Sequence, residues 1–170
     1  MNSEQQYIDL FQENRKIIDG HSTAPLNAVR DKAFKAFCKQ GFPSRKVERY
    51  KYTDMQKLFA PDYGLNLTRF EIPVNPYDVF KCEVQNLSTS LYFVVNDGFY
   101  TKTLPQAHLP EGVIIDSLCH AAGKYPDLVS DYYSKIADSE EDAVTALNTM
   151  LVQDGTLIYV PKNTRIPRPV

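Results

Sequence analysis

Periodicity changes kind near Phe70, and that switch constrains the fold more than any other feature of the chain. Before it, apolar residues recur at helical spacing. Tyr7, Leu10, Phe11, Asn14, Ile17 and Ile18 mark one face of an amphipathic helix over 3–19 that stops near Gly20. Ser22 and Thr23 offer caps for a second helix with Pro25 in its first turn. Its stripe is Leu26, Val29, Ala33, Phe34, Phe37 and Cys38, and Gly41 is its stop. Two such helices with a short connection are expected to pack as an antiparallel pair. A short third helix is predicted to start from Thr53 or Asp54 and run through Met55 and Leu58 to Pro61.

After Phe70, prolines, β-branched residues and aromatics replace that spacing. Leu91 to Leu104 reads as a hairpin turning at Asn96-Asp97-Gly98, whose residues tolerate positive φ. Val113-Ile114-Ile115 is a short strand leading into a helix over Ser117 to Ala122. Residues 126–137 and 141–152 read as helices, the last with an apolar face of Val144, Leu147, Leu151 and Val152. Asp154-Gly155 turns into a strand over Thr156 to Val160, and the chain closes on PKNTRIPRPV. The fold class expected is α+β: N-terminal helices followed by a small mixed α/β region. A strand followed by Pro161, Pro167 and Pro169 suits an edge or a connection better than the middle of a sheet.

The chain has 170 residues, 43% of them hydrophobic and 24% charged, enough for one ordinary globular domain. A net charge of −2 gives no global field toward nucleic acid or anionic membrane. No apolar run approaches the roughly 20 residues that span a bilayer. The N-terminus has no secretory pattern, and Cys38, Cys82 and Cys119 are odd in number and scattered, so a reducing cytoplasm is the expected location.

The densest chemistry lies in Gly41 to Asp54, GFPSRKVERYKYTD. Arg45, Lys46, Arg49 and Lys51 alternate with Tyr50 and Tyr52, and Glu48 interrupts the cations. Cations neutralise phosphates and aromatic faces stack bases, so a stand-alone nucleic-acid- or ligand-binding module using 44–52 is one reading. Another is structural: tyrosine rings packed inward, cations left in water, and the segment pinning the helices against the sheet. Contact with a protein partner is the third, since Arg and Tyr are enriched at interfaces.

Other candidates carry less. Cys119 and His120 are adjacent on a predicted helix and diverge by about 100°, so the default is a buried thiol beside a surface imidazole. No partner stands at zinc-like spacing. Cys38 is expected to be a small buried hydrophobe, His21 and His108 to be solvated, and Cys82 falls in a stretch that supports no reading. The acidic run Asp138, Glu140, Glu141 and Asp142 suits capping at a helix start. There is no P-loop, no Gly-x-Gly-x-x-Gly and no Gly-x-Ser-x-Gly, and no nucleophile–base or ligand set assembles, so no catalytic or metal residue is assigned.

Three blocks in order resemble the SufD family of the SUF iron–sulfur cluster assembly system. They are Gly41-Phe42-Pro43-Ser44-Arg45-Lys46 with Glu48, Tyr50, Lys51, Tyr52, Thr53 and Asp54; Phe93 to Tyr100 with Leu109 to Leu118; and Ala146 to Val170. Tyr50 stands where the family often has tryptophan. The stretches 1–24 and 62–88 carry no resemblance. The organisation expected is helices over 1–60, a small α+β region over 61–155, and a first strand and tail over 156–170; the family implies that this α+β region precedes a right-handed β-helix, absent here, into which the tail leads. It further implies a non-catalytic scaffold acting with a SufB-like partner and a SufC-like ATPase. The full complex would handle the iron–sulfur cluster, this chain would bind no cofactor, and cluster ligands would lie beyond Val170. Self-association of the truncated chain stays open.

Overall fold

The computed structural model describes residues 3–63, 66–70, 73–80, 90–103 and 109–170. Cys82 and His108 fall outside the described residues, as does Leu104 at the end of the expected hairpin.

The architecture is α+β, with eight α-helices and two two-stranded antiparallel sheets among the described residues. Helix α1 (Ser3–Gly20) runs as its spacing dictates and buries Tyr7, Phe11 and Ile18; Ile17, expected on the same face, is exposed. The expected second helix is broken into α2 (Ala24–Asn27) and α3 (Arg30–Gln40). Thr23 stands at the cap position of α2 without a side-chain capping bond. The break turns the stripe: Arg30, Ala33, Ala36 and Phe37 face inward, and Cys38 is exposed, which corrects its expected burial.

Arg30 is fully buried on this face. Its guanidinium donates to the Asn27 side chain and to the Met150 carbonyl, each at 2.9 Å, which ties the start of α3 to α8 (Ala143–Leu151). Burial pulls its pKa down, opposed by Tyr133 and Asp19. Helix α8 is the main neighbour of α3 along its length, so the helical pair expected between the first two helices is secondary. Helix α1 still touches α3 through Phe11 stacked on Phe34 at 4.9 Å.

Helix α4 (Met55–Leu58) begins where expected, with the Asp54 carboxylate accepting from the Lys57 N–H at 3.0 Å. Helix α5 (Pro76–Val79) is capped by Asn75. Strands β1 (Val94–Val95) and β2 (Gly98–Phe99) form the expected hairpin. Asn96 and Asp97 both have positive φ, 49° and 65°, the requirement of a two-residue loop that follows sheet twist.

Strand β3 (Ile114–Ser117) ends on Ser117, which caps α6 (Leu118–Lys124) by accepting from the His120 N–H at 3.0 Å. Helix α7 (Pro126–Tyr132) is shorter than the 126–137 expected, because the backbone leaves the helix at Tyr133 and Ser134 takes φ 58°. Helix α8 buries Ala143, Ala146, Leu147 and Met150; of the expected face, Leu147 is buried and Val144 and Leu151 pack half-buried against the same core. Strand β4 (Thr156–Tyr159) pairs antiparallel with β3, Ile114 opposite Tyr159 and Ser117 opposite Thr156.

The larger core gathers α1, α3, α4 and α8 around Phe42, whose ring meets Phe37 at 5.3 Å, Phe59 at 4.8 Å and Tyr7 at 6.0 Å. A smaller one, Leu26, Ala122 and Val129, sits under Leu157 and Tyr133. No described helix is long and apolar enough to cross a membrane.

A clamped basic–aromatic segment as candidate functional site

The candidate segment starts where α3 is forced to stop. Gly41 takes φ 60° and ψ −178°, a backbone region essentially reserved for glycine. A Cβ there would also lie 2.9 Å from the Glu4 carboxylate, which accepts from the Phe42 N–H at 3.0 Å. The turn swings Phe42 into the aromatic core and sends Pro43 and the cationic stretch over the surface.

Ser44 orders the next turn: its carbonyl accepts from the Val47 N–H at 3.0 Å and its hydroxyl from the Lys46 N–H at 3.3 Å. A single 3-10 turn, Glu48–Tyr50, then aims Arg49 and Tyr50 at one carboxylate. Arg49 Nη1 lies 3.0 Å and Tyr50 Oη 2.5 Å from Asp142 Oδ2. The other oxygen, Oδ1, accepts from the Val144 and Thr145 N–H groups at 2.9 Å and caps α8. One carboxylate thus stops a helix from fraying and holds a loop. The Thr53 N–H donates to the Tyr50 carbonyl at 2.9 Å and delivers the chain to Asp54.

Asp142 is buried, which acts to raise its pKa; the donors of Tyr50, Thr145, Arg49 and Val144 outweigh burial and hold the carboxyl below the ordinary carboxylate range. Burial, and then the Asp142 carboxylate, push the Tyr50 phenol up.

The remaining cations are mostly matched. Arg45 lies 3.8 Å from Asp54, and Lys51 lies 3.3 Å from Glu48 with its ammonium 5.3 Å above the Tyr52 ring. Of the four cations only Lys46 makes no ion pair with a described residue. The inward-packing expectation holds for Tyr50, which lies against the larger core, and fails for Tyr52, which is 89% exposed. The segment is pinned to helix α8 through Asp142; the structural reading of the sequence has it pinning the helices against the sheet. Pro43, Val47 and Tyr50 face Glu141 and Ala143 across a groove of about 430 Å³.

Elsewhere, His120 is exposed and its Nδ1 lies 2.6 Å from Asp116, while Cys119 is half-buried with burial raising its thiol pKa. His21 is exposed and contacts Gln153 at 3.2 Å. Among the described residues no three His, Cys, Asp or Glu side chains are grouped to hold a metal ion.

The residue sequence reasoning missed is Asp154, read only as part of a turn. Its Oδ1 accepts from the Ser117 hydroxyl at 2.7 Å and the Cys119 N–H at 3.0 Å; its Oδ2 accepts from the Phe99 N–H at 3.0 Å and Arg69 at 3.3 Å. Burial acts to raise this carboxyl too, and the donors of Phe99, Cys119, Ser117 and Gly155 bring it below the ordinary range. Asp154 joins the hairpin, β3 and α6, and no local sequence pattern signals donors that far apart.

Fold and segment together define a small α+β domain whose basic–aromatic loop is clamped to a helix N-terminus. The chain belongs to the SufBD family: it matches the SufBD protein N-terminal region over residues 1–170. It is 44% identical over 59 residues to the iron–sulfur cluster assembly SufBD family protein ABCI9 of Arabidopsis thaliana, covering 35% of this chain and 13% of that one. To the iron–sulfur cluster assembly protein SufD of Bacillus subtilis it is 33% identical over 89 residues, covering 52% and 20%. To the chloroplastic protein ABCI7 of Arabidopsis thaliana it is 25% identical over 157 residues, covering 88% and 30%. The matched stretch is therefore less than a third of the length of each of these relatives. No solved structure matches the chain.

Proposed function

We propose that this chain is the N-terminal region of a non-catalytic scaffold in an iron–sulfur cluster assembly complex, acting with a SufB-like partner and a SufC-like ATPase. The observation that carries the reading is the match to the SufBD N-terminal region along the whole chain. This region would lead into a right-handed β-helix, and clusters would be cargo of the complex, with their ligands outside this region. Cytoplasmic residence belongs to the same proposal; two relatives from Arabidopsis thaliana are named chloroplastic.

Arg49 and Tyr50 bind Asp142, which supports a structural role for them, and partner contact is proposed for Lys46 and Tyr52, both exposed. The test is co-expression of the protein carrying this chain with SufB-like and SufC-like proteins of the same organism, followed by affinity purification and native mass measurement. A ternary complex weakened by Lys46→Glu with Tyr52→Ala is expected. Failure to recover either partner overturns the assembly reading; a complex indifferent to the double variant overturns the contact assigned to the segment.

A further inference from the structure

Positive charge is gathered on one stretch of a chain that is acidic overall. Residues 30–51 hold 8 of the 19 cations and 2 of the 21 acids. The fold aligns part of that charge: Lys32, Lys35 and Lys39 recur at helical spacing along the outer face of α3. With Gln40 and Glu140 they line a surface groove of about 240 Å³. Gln40 also lines the groove of Pro43, Val47, Tyr50 and Ala143, so the two adjoin at the end of α3.

This face already takes an acidic stretch of the chain itself. Lys32 Nζ lies 2.8 Å from Glu140 and 3.5 Å from Asp138, and the Gln40 side chain donates to the Ser139 carbonyl at 2.8 Å. Two carboxylates and one main-chain acceptor thus lay residues 138–140 along α3. Lys35 and Lys39, between Lys32 and Gln40, are exposed and make no ion pair with a described residue. Asp31, one turn before Lys35, is engaged by Arg15.

We propose that the outer face of α3 and the adjoining groove bind an acidic polypeptide segment of a protein partner, with carboxylates on Lys35 and Lys39 and an apolar side chain between Pro43, Val47 and Tyr50. This gives a chemistry to the partner contact of Lys46 and Tyr52, the reading on which it rests. Charge complementarity selects an acidic occupant, and residues 138–140 show that the face accepts carboxylates carried on a polypeptide. Isolated surface ion pairs contribute little; the apolar groove beside them supplies the burial that a stable contact needs. A polypeptide sets carboxylates opposite the lysines and neutral residues opposite Glu140 and Glu141, which stand on the same surface. A nucleic acid carries charge at every nucleotide and would meet both glutamates.

Fluorescence anisotropy of a labelled Glu/Leu peptide, titrated with the full-length protein that carries this chain, reads the contact. Binding is expected at low salt and should weaken as ionic strength rises. The Gln/Leu counterpart is expected to bind at least about tenfold less tightly. Lys35→Glu with Lys39→Glu is expected to cost at least about tenfold. Circular dichroism checks the fold of that variant, and Lys35→Gln with Lys39→Gln serves as a second pair without charge reversal. Val47→Ser is expected to weaken binding with its salt dependence unchanged. No binding by the folded parent at low salt overturns the proposal, as does a peptide affinity that both folded lysine pairs leave unchanged. Tighter binding of oligothymidylate than of the peptide, lost in the same lysine variants, also overturns it and assigns the face to nucleic acid. Recovery of the SufB-like and SufC-like proteins is read separately by co-expression, so a missing complex and a missing acidic-segment site are told apart.

Discussion

Tyr50 and Asp142, 92 positions apart, share a hydrogen bond at 2.5 Å that makes the cap of α8 and the anchor of the basic segment a single device. Removing the carboxylate takes away a helix cap, about 1 kcal/mol, and leaves the Tyr50 hydroxyl without its partner, about 1 kcal/mol more. Asp142→Ala is therefore expected to destabilise the fold by roughly 2–3 kcal/mol. Tyr50→Phe loses only the second part. Arg49→Ala costs less than either, its guanidinium being largely in water. Urea midpoints of the three variants should fall in that order.

The same carboxylate sets an acid limb. Asp142 and Asp154 both have folded pKa values below the ordinary one. Each contributes stability that is fully present above the unfolded carboxylate pKa, near about 3.9, and is lost as pH falls through the lower folded value. Stability should be flat from neutral pH to about pH 5 and then decline. Asp142→Asn should lower stability at neutral pH and make that decline shallower. Chemical unfolding at several pH values checks both; a variant with the parent's full acid slope would remove Asp142 from this role.

Gly41 shows how much of this was legible beforehand. Its place after an amphipathic stripe predicted a stop, and the stop is there. That it sits in a region closed to other residues and against Glu4 depends on an approach 37 positions away in sequence that no local pattern carries. The same limit explains the other misses. Spacing correctly announced an inward stripe on α3, but its rotation was fixed by α8, which put Arg30 inside and Cys38 outside. The hairpin was legible because Asn96 and Asp97 carry their turn locally; the β3–β4 pairing was not, because it joins strands far apart in the chain. In the candidate segment the residues could be named and their partners could not: which cation meets Asp142 is decided by a 3-10 turn.

Gly41→Ala follows from that geometry. Alanine would have to hold a conformation costing on the order of 1–3 kcal/mol for a residue with a Cβ, and Glu4 would be pushed from the Phe42 N–H. A loss in that range is expected in thermal or chemical unfolding, with Phe42 loosened in the core. Glu4→Ala in the same background separates the parts: strain alone predicts that the two changes add, and crowding predicts that the second relieves some of the first.

Asp154 offers the sharpest test, because its two oxygens divide their donors. Oδ1 serves Ser117 and Cys119, at the junction of β3 and α6, and Oδ2 serves Phe99 and Arg69, in and beside the hairpin. Asp154→Ala strands buried donors on both sides and is expected to cost about 3 kcal/mol or more. Asparagine in its place would not restore the full set, since an amide presents one acceptor oxygen and can satisfy one side only, so Asp154→Asn should recover roughly half of that loss. Amide exchange tells which half: protection is expected to survive at either Phe99 or Cys119 in Asp154→Asn, and at neither in Asp154→Ala. Full protection of both amides in Asp154→Ala would mean that packing of Phe99 and capping by Ser117 hold the hairpin to β3 without the carboxylate.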